Sequence, residues 1–316
     1  MPHIAFGTAQ LGELGAGTTA EDVLDAAWRA GFRRFDTAPS YAGGQAEVRV
    51  GALLAGHPGA EVVTTKVGLL PRTRRGARAA AVGLAKAVLP QGARRRLRGG
   101  VEQARGADHE QESGRFALPA VTASVEESLR RLGGRVDRLL LHEVRPLDVT
   151  PELVELLAGL VRRGDVGAVG VATQNHDTLP VLARGGELFT VVNHAVGPLH
   201  PPVELPPHVT TRIGHGLLGG GAEHLHRLTA VLAADPAAAE RWRAAVAGTE
   251  FAGERGLTDV LLSRGPHLGV TEVLVATRRP AAVARAAELA GRTEPLPPAV
   301  LAALADLVAR AGTRRG

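Results

Sequence analysis

Short runs of β-branched and aliphatic residues alternate with amphipathic helical stretches along nearly the whole chain, and this rhythm restricts the fold more than any other feature. The strand candidates are His3 to Gly7, Arg33 to Asp36, Val62 to Lys66, Arg138 to His142, Ala168 to Ala172, Thr190 to Asn193, Thr210 to Ile213 and Glu272 to Ala276. Helix starts follow several of them. Thr19-Ala20-Glu21-Asp22 precedes Val23-Leu24, Thr122 to Glu126 precedes Ser128-Leu129, and Thr150-Pro151-Glu152 precedes Leu153. Gly31, Gly133 and Gly164 stand where those helices should end. Eight such units in 316 residues fit an α/β fold, a (β/α)8 TIM barrel, for which about 250 residues is typical. A doubly wound open sheet is the alternative. The chain reads as a single barrel domain over residues 1–316 with a basic loop insertion at about 70–118.

Aromatic residues make up only 3% of the chain, so its core must be built from Ala, Val and Leu. No cysteine occurs, which removes disulfides, thiolate nucleophiles and Cys-ligated metal sites together and suits a reducing, cytoplasmic setting. Met1 to Gly7 lacks the pattern of a secretory leader, and no run of about 18 apolar residues could span a bilayer. A soluble, unprocessed protein without a membrane partner is expected.

The net charge of +5 is concentrated between Arg72 and Arg105, where nine arginines and Lys86 face only Glu102. That run has no aromatic for base stacking and reads as a solvated long loop, with a polyanion site or a flap over an anionic substrate as further readings. One helix is expected inside it, over Ala77 to Val88. Nucleic acid is not an expected partner. No P-loop occurs, and Gly7-Thr8-Ala9-Gln10-Leu11-Gly12 is not a G-x-G-x-x-G fingerprint. Histidines recur at 194, 200, 208, 215, 224 and 226, but sequence shows neither convergence nor a supporting shell, so no metal is assigned.

In a barrel, a polar residue at the C-terminal end of a strand points to the catalytic mouth. Asp36, Lys66 and His142 each end an apolar strand candidate, and Tyr41, the only tyrosine, follows Asp36 by five residues. Together they make sense as a tuned proton donor. A phenol with pKa about 10 is a weak acid at neutral pH, a neighbouring ammonium lowers it, and a carboxylate keeps that ammonium charged. An imidazole beside them can polarise a carbonyl oxygen. The bland reading is a buried Asp36–Lys66 salt bridge, a core histidine and a loop tyrosine.

From these residues the chain resembles an aldo-keto reductase over Ile4 to about Ala290. The resemblance is carried by Phe6 to Gly12, by Phe35-Asp36-Thr37-Ala38-Pro39-Ser40-Tyr41 with Glu47 and Gly51, by Thr64 to Gly68, by Ser128 to Gly133, and by Val136-Asp137 through His142. Its early half is most similar to the aldose and pyridoxal dehydrogenase-like branch. The resemblance implies that Tyr41 is the general acid, Lys66 tunes it, Asp36 supports Lys66, His142 orients the substrate carbonyl, and a nicotinamide delivers hydride. It also implies cofactor contacts at Gly7 and Thr8, carboxamide contacts at Thr173, Gln174, Asn175 and Asn193, and a pyrophosphate loop with Gly214, Gly216 and Leu217. The family's ring-stacking aromatic falls on Thr210 or Thr211, and Thr211 is counted with the cofactor positions. Arg278 and Arg279 fall where the family reads the adenosine phosphate, and two guanidiniums favour NADPH (NADP+), with NADH as second choice.

The expected function is therefore reduction of an aldehyde, ketone or sugar-like carbonyl, or oxidation of the alcohol, on a small-molecule substrate. The alternative is a redox-silent barrel of the same family that performs lyase or isomerase chemistry or acts as a binding or regulatory protein.

Overall fold

Eight parallel strands pair in chain order and close into a barrel in the computed structural model, which describes residues 2–69 and 115–313. They are β1 (His3–Gly7), β2 (Arg34–Asp36), β3 (Val62–Val67), β4 (Arg138–His142), β5 (Ala168–Ala172), β6 (Phe189–Ala195), β7 (Thr211–His215) and β8 (Glu272–Val275). The last strand pairs back on the first, from His3 opposite Glu272 to Phe6 opposite Val275. The expected helix over Ala77 to Val88 and the arginine run from Arg72 to Arg105 lie outside the described residues.

Helices α1 (Ala20–Arg29), α2 (Ala46–Gly56), α3 (Leu118–Arg131), α4 (Pro151–Arg163) and α5 (Asn175–Gly185) follow the first five strands in turn. Thr19 and Asp22 form a reciprocal capping box on α1, and Thr150 caps α4. The expected start of α3 near Thr122 is corrected. The helix begins at Leu118 with Pro119 in its first turn, and the Thr122 hydroxyl donates back to the Leu118 carbonyl. Residues 196–210, which join β6 to β7, carry no helix. Pro198, Pro201, Pro202, Pro206 and Pro207 explain this, since each removes a backbone donor and biases its predecessor away from helix. Three helices, α6 (Glu223–Ala234), α7 (Pro236–Val246) and α8 (Gly256–Ser263), precede β8, and α9 (Pro280–Ala290) and α10 (Pro298–Thr313) follow it.

Side chains alternate between the two faces of each strand. Leu140, Ala172, Val191 and Ile213 form a small cluster inside the barrel, while the larger core lies between the strands and the helices. The same alternation puts Arg34, Arg138 and Glu272 inside at the floor, where Glu272 binds both guanidiniums at 3.1 and 2.9 Å. At the opposite end it points Asp36, Lys66, His142, Asn193 and His215 into the mouth. Among the described residues no helix is long and apolar enough to cross a membrane.

Candidate active site

Three of the four expected catalytic residues are carried by adjacent strands, and the fourth by a turn. Tyr41 opens a short 3-10 turn, Tyr41–Gly44, in which Ala42, Gly43 and Gly44 all take positive φ. Gly12 makes room for that turn, since a Cβ on it would lie 3.0 Å from the Ala42 Cα. The turn carries the Tyr41 ring to within 5.7 Å of the His142 ring, edge to face, and 4.7 Å of the Lys66 Nζ. Lys66 donates to the Asp36 carboxylate and, at 3.0 Å, to the Thr37 carbonyl. Asp36 and Lys66 are each only 2% exposed, so the pair is withheld from water.

Burial sets most of the titration behaviour. It pushes the Asp36 carboxyl up, against the pull of Lys66 and of the Asn193 amide. Burial alone would lower Lys66, but the Asp36 carboxylate and Tyr41 reverse this and hold the ammonium above its usual value. The expectation for Tyr41 is corrected. Lys66 does pull the phenol down, yet burial outweighs it and Tyr41 sits above its ordinary value. His142 is held well below 6.5, chiefly by burial and then by Lys66, so its imidazole is neutral.

The site extends beyond the tetrad. Asn193 donates to the second Asp36 oxygen at 3.2 Å and accepts from His215 Nδ1 at 2.7 Å, which ties β7 to the tetrad through β6. Burial and the charge on Lys66 lower His215 to about 4. From sequence, His215 stands among the recurring histidines and within the expected pyrophosphate loop, because Gly214 and His215 are weak strand formers and conceal the last residues of β7. The sequence reading also passed over Glu143. This residue follows His142 directly at φ 51, a rare conformation for a side-chain-bearing residue, and its carboxylate accepts from Gln174 Nε2 at 3.1 Å. Adjacency to a strand-end histidine was the available signal.

The expected cofactor positions divide into two groups. Thr211 is a correction. It opens β7 at the end remote from the mouth, as Thr210 precedes it, and the mouth-facing residue of that strand is His215. Thr173 directs its hydroxyl to Thr178 at 2.9 Å, and Asn175 uses both amide atoms on the backbone of Ala195. With Asn193 also engaged, Gln174 is the exposed carboxamide among the four. Gly7 lies at the mouth end of β1, and the Thr8 hydroxyl donates to the Asp36 carbonyl at 3.0 Å.

The expected phosphate-side positions fall on a glycine turn and a pair of exposed arginines. Gly216, Gly219 and Gly221 hold positive φ in a tight turn leading into α6, and a Cβ on Gly219 would crowd the His224 backbone nitrogen. Gly214 lies before that turn, and Leu217 is buried within it. Arg278 and Arg279 are exposed at the start of α9, and among the described residues Arg278 makes only long contacts of 3.3 and 3.4 Å to Glu13. Guanidiniums beside a helix N-terminus form a donor set suited to phosphate.

The family model described as the aldo/keto reductase family matches residues 3–196. D-threo-aldose 1-dehydrogenase from Pseudomonas sp. is 31% identical over 201 residues, covering 61% of this chain and 56% of that protein. Pyridoxal 4-dehydrogenase from Microbacterium luteolum is 31% identical over 145 residues, covering 45% of this chain and 39% of that protein. The matches thus span about half or less of these curated relatives. Among solved structures, the glycerol dehydrogenase of Gluconobacter oxydans superimposes with a TM-score of 0.66 at 19% identity, over 97% of this chain and 91% of that one. An aldo-keto reductase from Klebsiella pneumoniae in complex with NADPH gives 0.62 at 20% identity, over 98% and 91%. At such identities the superpositions show the barrel fold.

Proposed function

The chain belongs to the aldo/keto reductase family, and on that premise we propose that it is a nicotinamide-dependent oxidoreductase, preferring NADPH, that interconverts a carbonyl and its alcohol. The observation that carries this reading is the buried Asp36–Lys66 ion pair beneath Tyr41 and beside His142 at the barrel mouth. We read residues 1–316 as one catalytic domain acting on a small molecule in the cytoplasm.

Each side chain has a defined task. Tyr41, kept protonated by burial, gives its phenolic proton to the substrate oxygen during reduction and takes it back during oxidation. Lys66 stabilises the phenolate left behind, and Asp36 keeps that lysine charged and aimed. Neutral His142 offers an N–H to the same oxygen and polarises the carbonyl. A nicotinamide bound across the mouth would supply the hydride. Gly216 to Gly221, Arg278 and Arg279 would hold its phosphates, and the exposed Gln174 would be available to its carboxamide.

The amides of Asn175 and Asn193 are committed to bonds within the protein, and this favours a second reading, a barrel that keeps acid–base chemistry without hydride transfer. A fluorescence titration with NADPH and with NADH separates the two. Saturable one-to-one binding, tighter for NADPH, supports the reductase, and absence of binding supports the redox-silent reading. In the reductase, Tyr41→Phe is expected to lower kcat by about 10²–10⁴-fold with NADPH affinity unchanged. Wild-type turnover in this variant would sink the assignment.

A further inference from the structure

The helix missing between β6 and β7 leaves a gap on the barrel flank, remote in chemistry from the tetrad. The coil of residues 196–210 returns along that flank, and between it and the end of α8 lies a cavity of about 300 Å³. Its lining combines apolar surface, Leu205 and Leu268 among it, with His194, His200, Arg212 and Arg264, and includes no Asp or Glu.

Two independent features mark this cavity as built for a ligand. The first is unbalanced charge. Arg212 projects outward from β7 and Arg264 follows the last residue of α8, and neither guanidinium has a hydrogen bond or ion pair among the described residues. Arg264 is half-buried, and burial lowers its pKa with no acid nearby to oppose it. By contrast, Arg34 and Arg138, similarly shielded at the barrel floor, share Glu272. A guanidinium partly removed from water without a counter-charge costs stability, and an anion entering the cavity offsets that cost. The second feature is an orphaned polar atom. His194 projects outward from β6 beside Arg212, is only 6% exposed, and has no partner for Nδ1 among the described residues. The same holds for His200 Nδ1.

We propose that this flank cavity binds a small organic anion, its acidic head paired by Arg212 and Arg264 and its short aliphatic body covered by Leu205 and Leu268. The volume suits a ligand of a few heavy atoms at the lower end of small-molecule sites. The guanidinium forks match the two oxygens of a carboxylate or phosphate head, and the apolar walls select against a bare inorganic ion. The inference rests on the flank alone and is independent of the reaction at the mouth.

Isothermal titration of the full chain with hexanoate, hexanol and inorganic phosphate tests it. Saturable one-to-one binding of hexanoate is expected, at least tenfold tighter than hexanol or phosphate. Arg212→Gln and Arg264→Gln, each checked for native circular dichroism, should weaken it tenfold or more, whereas Tyr41→Phe at the mouth should leave it unchanged. If one arginine variant fails to fold, the other decides. No saturable hexanoate binding, binding indifferent to both arginines, or binding lost in Tyr41→Phe would each overturn the proposal. Phosphate binding as tightly as hexanoate would remove the aliphatic body from it.

Discussion

Asp36, Lys66, Tyr41 and His142 were legible as types and positions because each ends a strand or opens the turn after one. Their protonation was not, because burial is a property of the surroundings. Lys66 acts on Tyr41 in the anticipated direction, but withdrawal from water is the larger influence and keeps the phenol protonated. The same physics gives a pH dependence. His215 is held at about 4 against an ordinary 6.5, so between those values the unfolded chain binds a proton that the folded chain refuses. Stability should therefore fall as pH drops from 6.5 towards 4, and His142, depressed by burial, acts in the same direction. Tm measured across this window is expected to decline on acidification, with a shallower slope in His215→Gln. A wild-type slope in that variant would mean that His215 is solvated.

At the scale of elements, the pairing of β5 with β6 turns on one glycine. The register shifts between Val169 and Gly170, and a Cβ on Gly170 would overlap the Val191 carbonyl oxygen and lie 2.7 Å from the Val191 Cβ. Gly170→Ala is expected to cost about 1–3 kcal/mol by overpacking, read as a lower urea midpoint. Gly15→Ala is the control, since nothing lies within 4 Å of the added methyl, and a change within about 0.5 kcal/mol is expected. Equal effects would show that the strand contact is not limiting. Strand positions were read to within a few residues because β-branched runs mark them. The ends of β7 were not, and Thr211 therefore stood in the expected mouth position that His215 occupies.

In the whole molecule, the floor ion pairs and the candidate site occupy opposite ends of the barrel. Glu272, with its side chain 3% exposed, bridges Arg34 and Arg138 at the floor, while the tetrad sits at the mouth. Glu272→Leu leaves the shielded Arg138 guanidinium without its acid and Arg34 with Glu61 alone, and is expected to destabilise the fold by about 3–5 kcal/mol in chemical denaturation. NADPH affinity should be unchanged, and a parallel loss of binding would show that floor and mouth are coupled. The alternation of strands and helices and the polar residues ending the strands are local patterns, and from them the barrel and the candidate site's four residues were legible without the structure. Which amides remain available, which face His215 and Arg212 take, and that a cationic cavity opens where a helix is missing were decided only by tertiary structure. The physical reason is that hydrogen-bond partners such as Asn193 with Asp36, 157 residues apart, are assigned by barrel closure rather than by any neighbour in the chain.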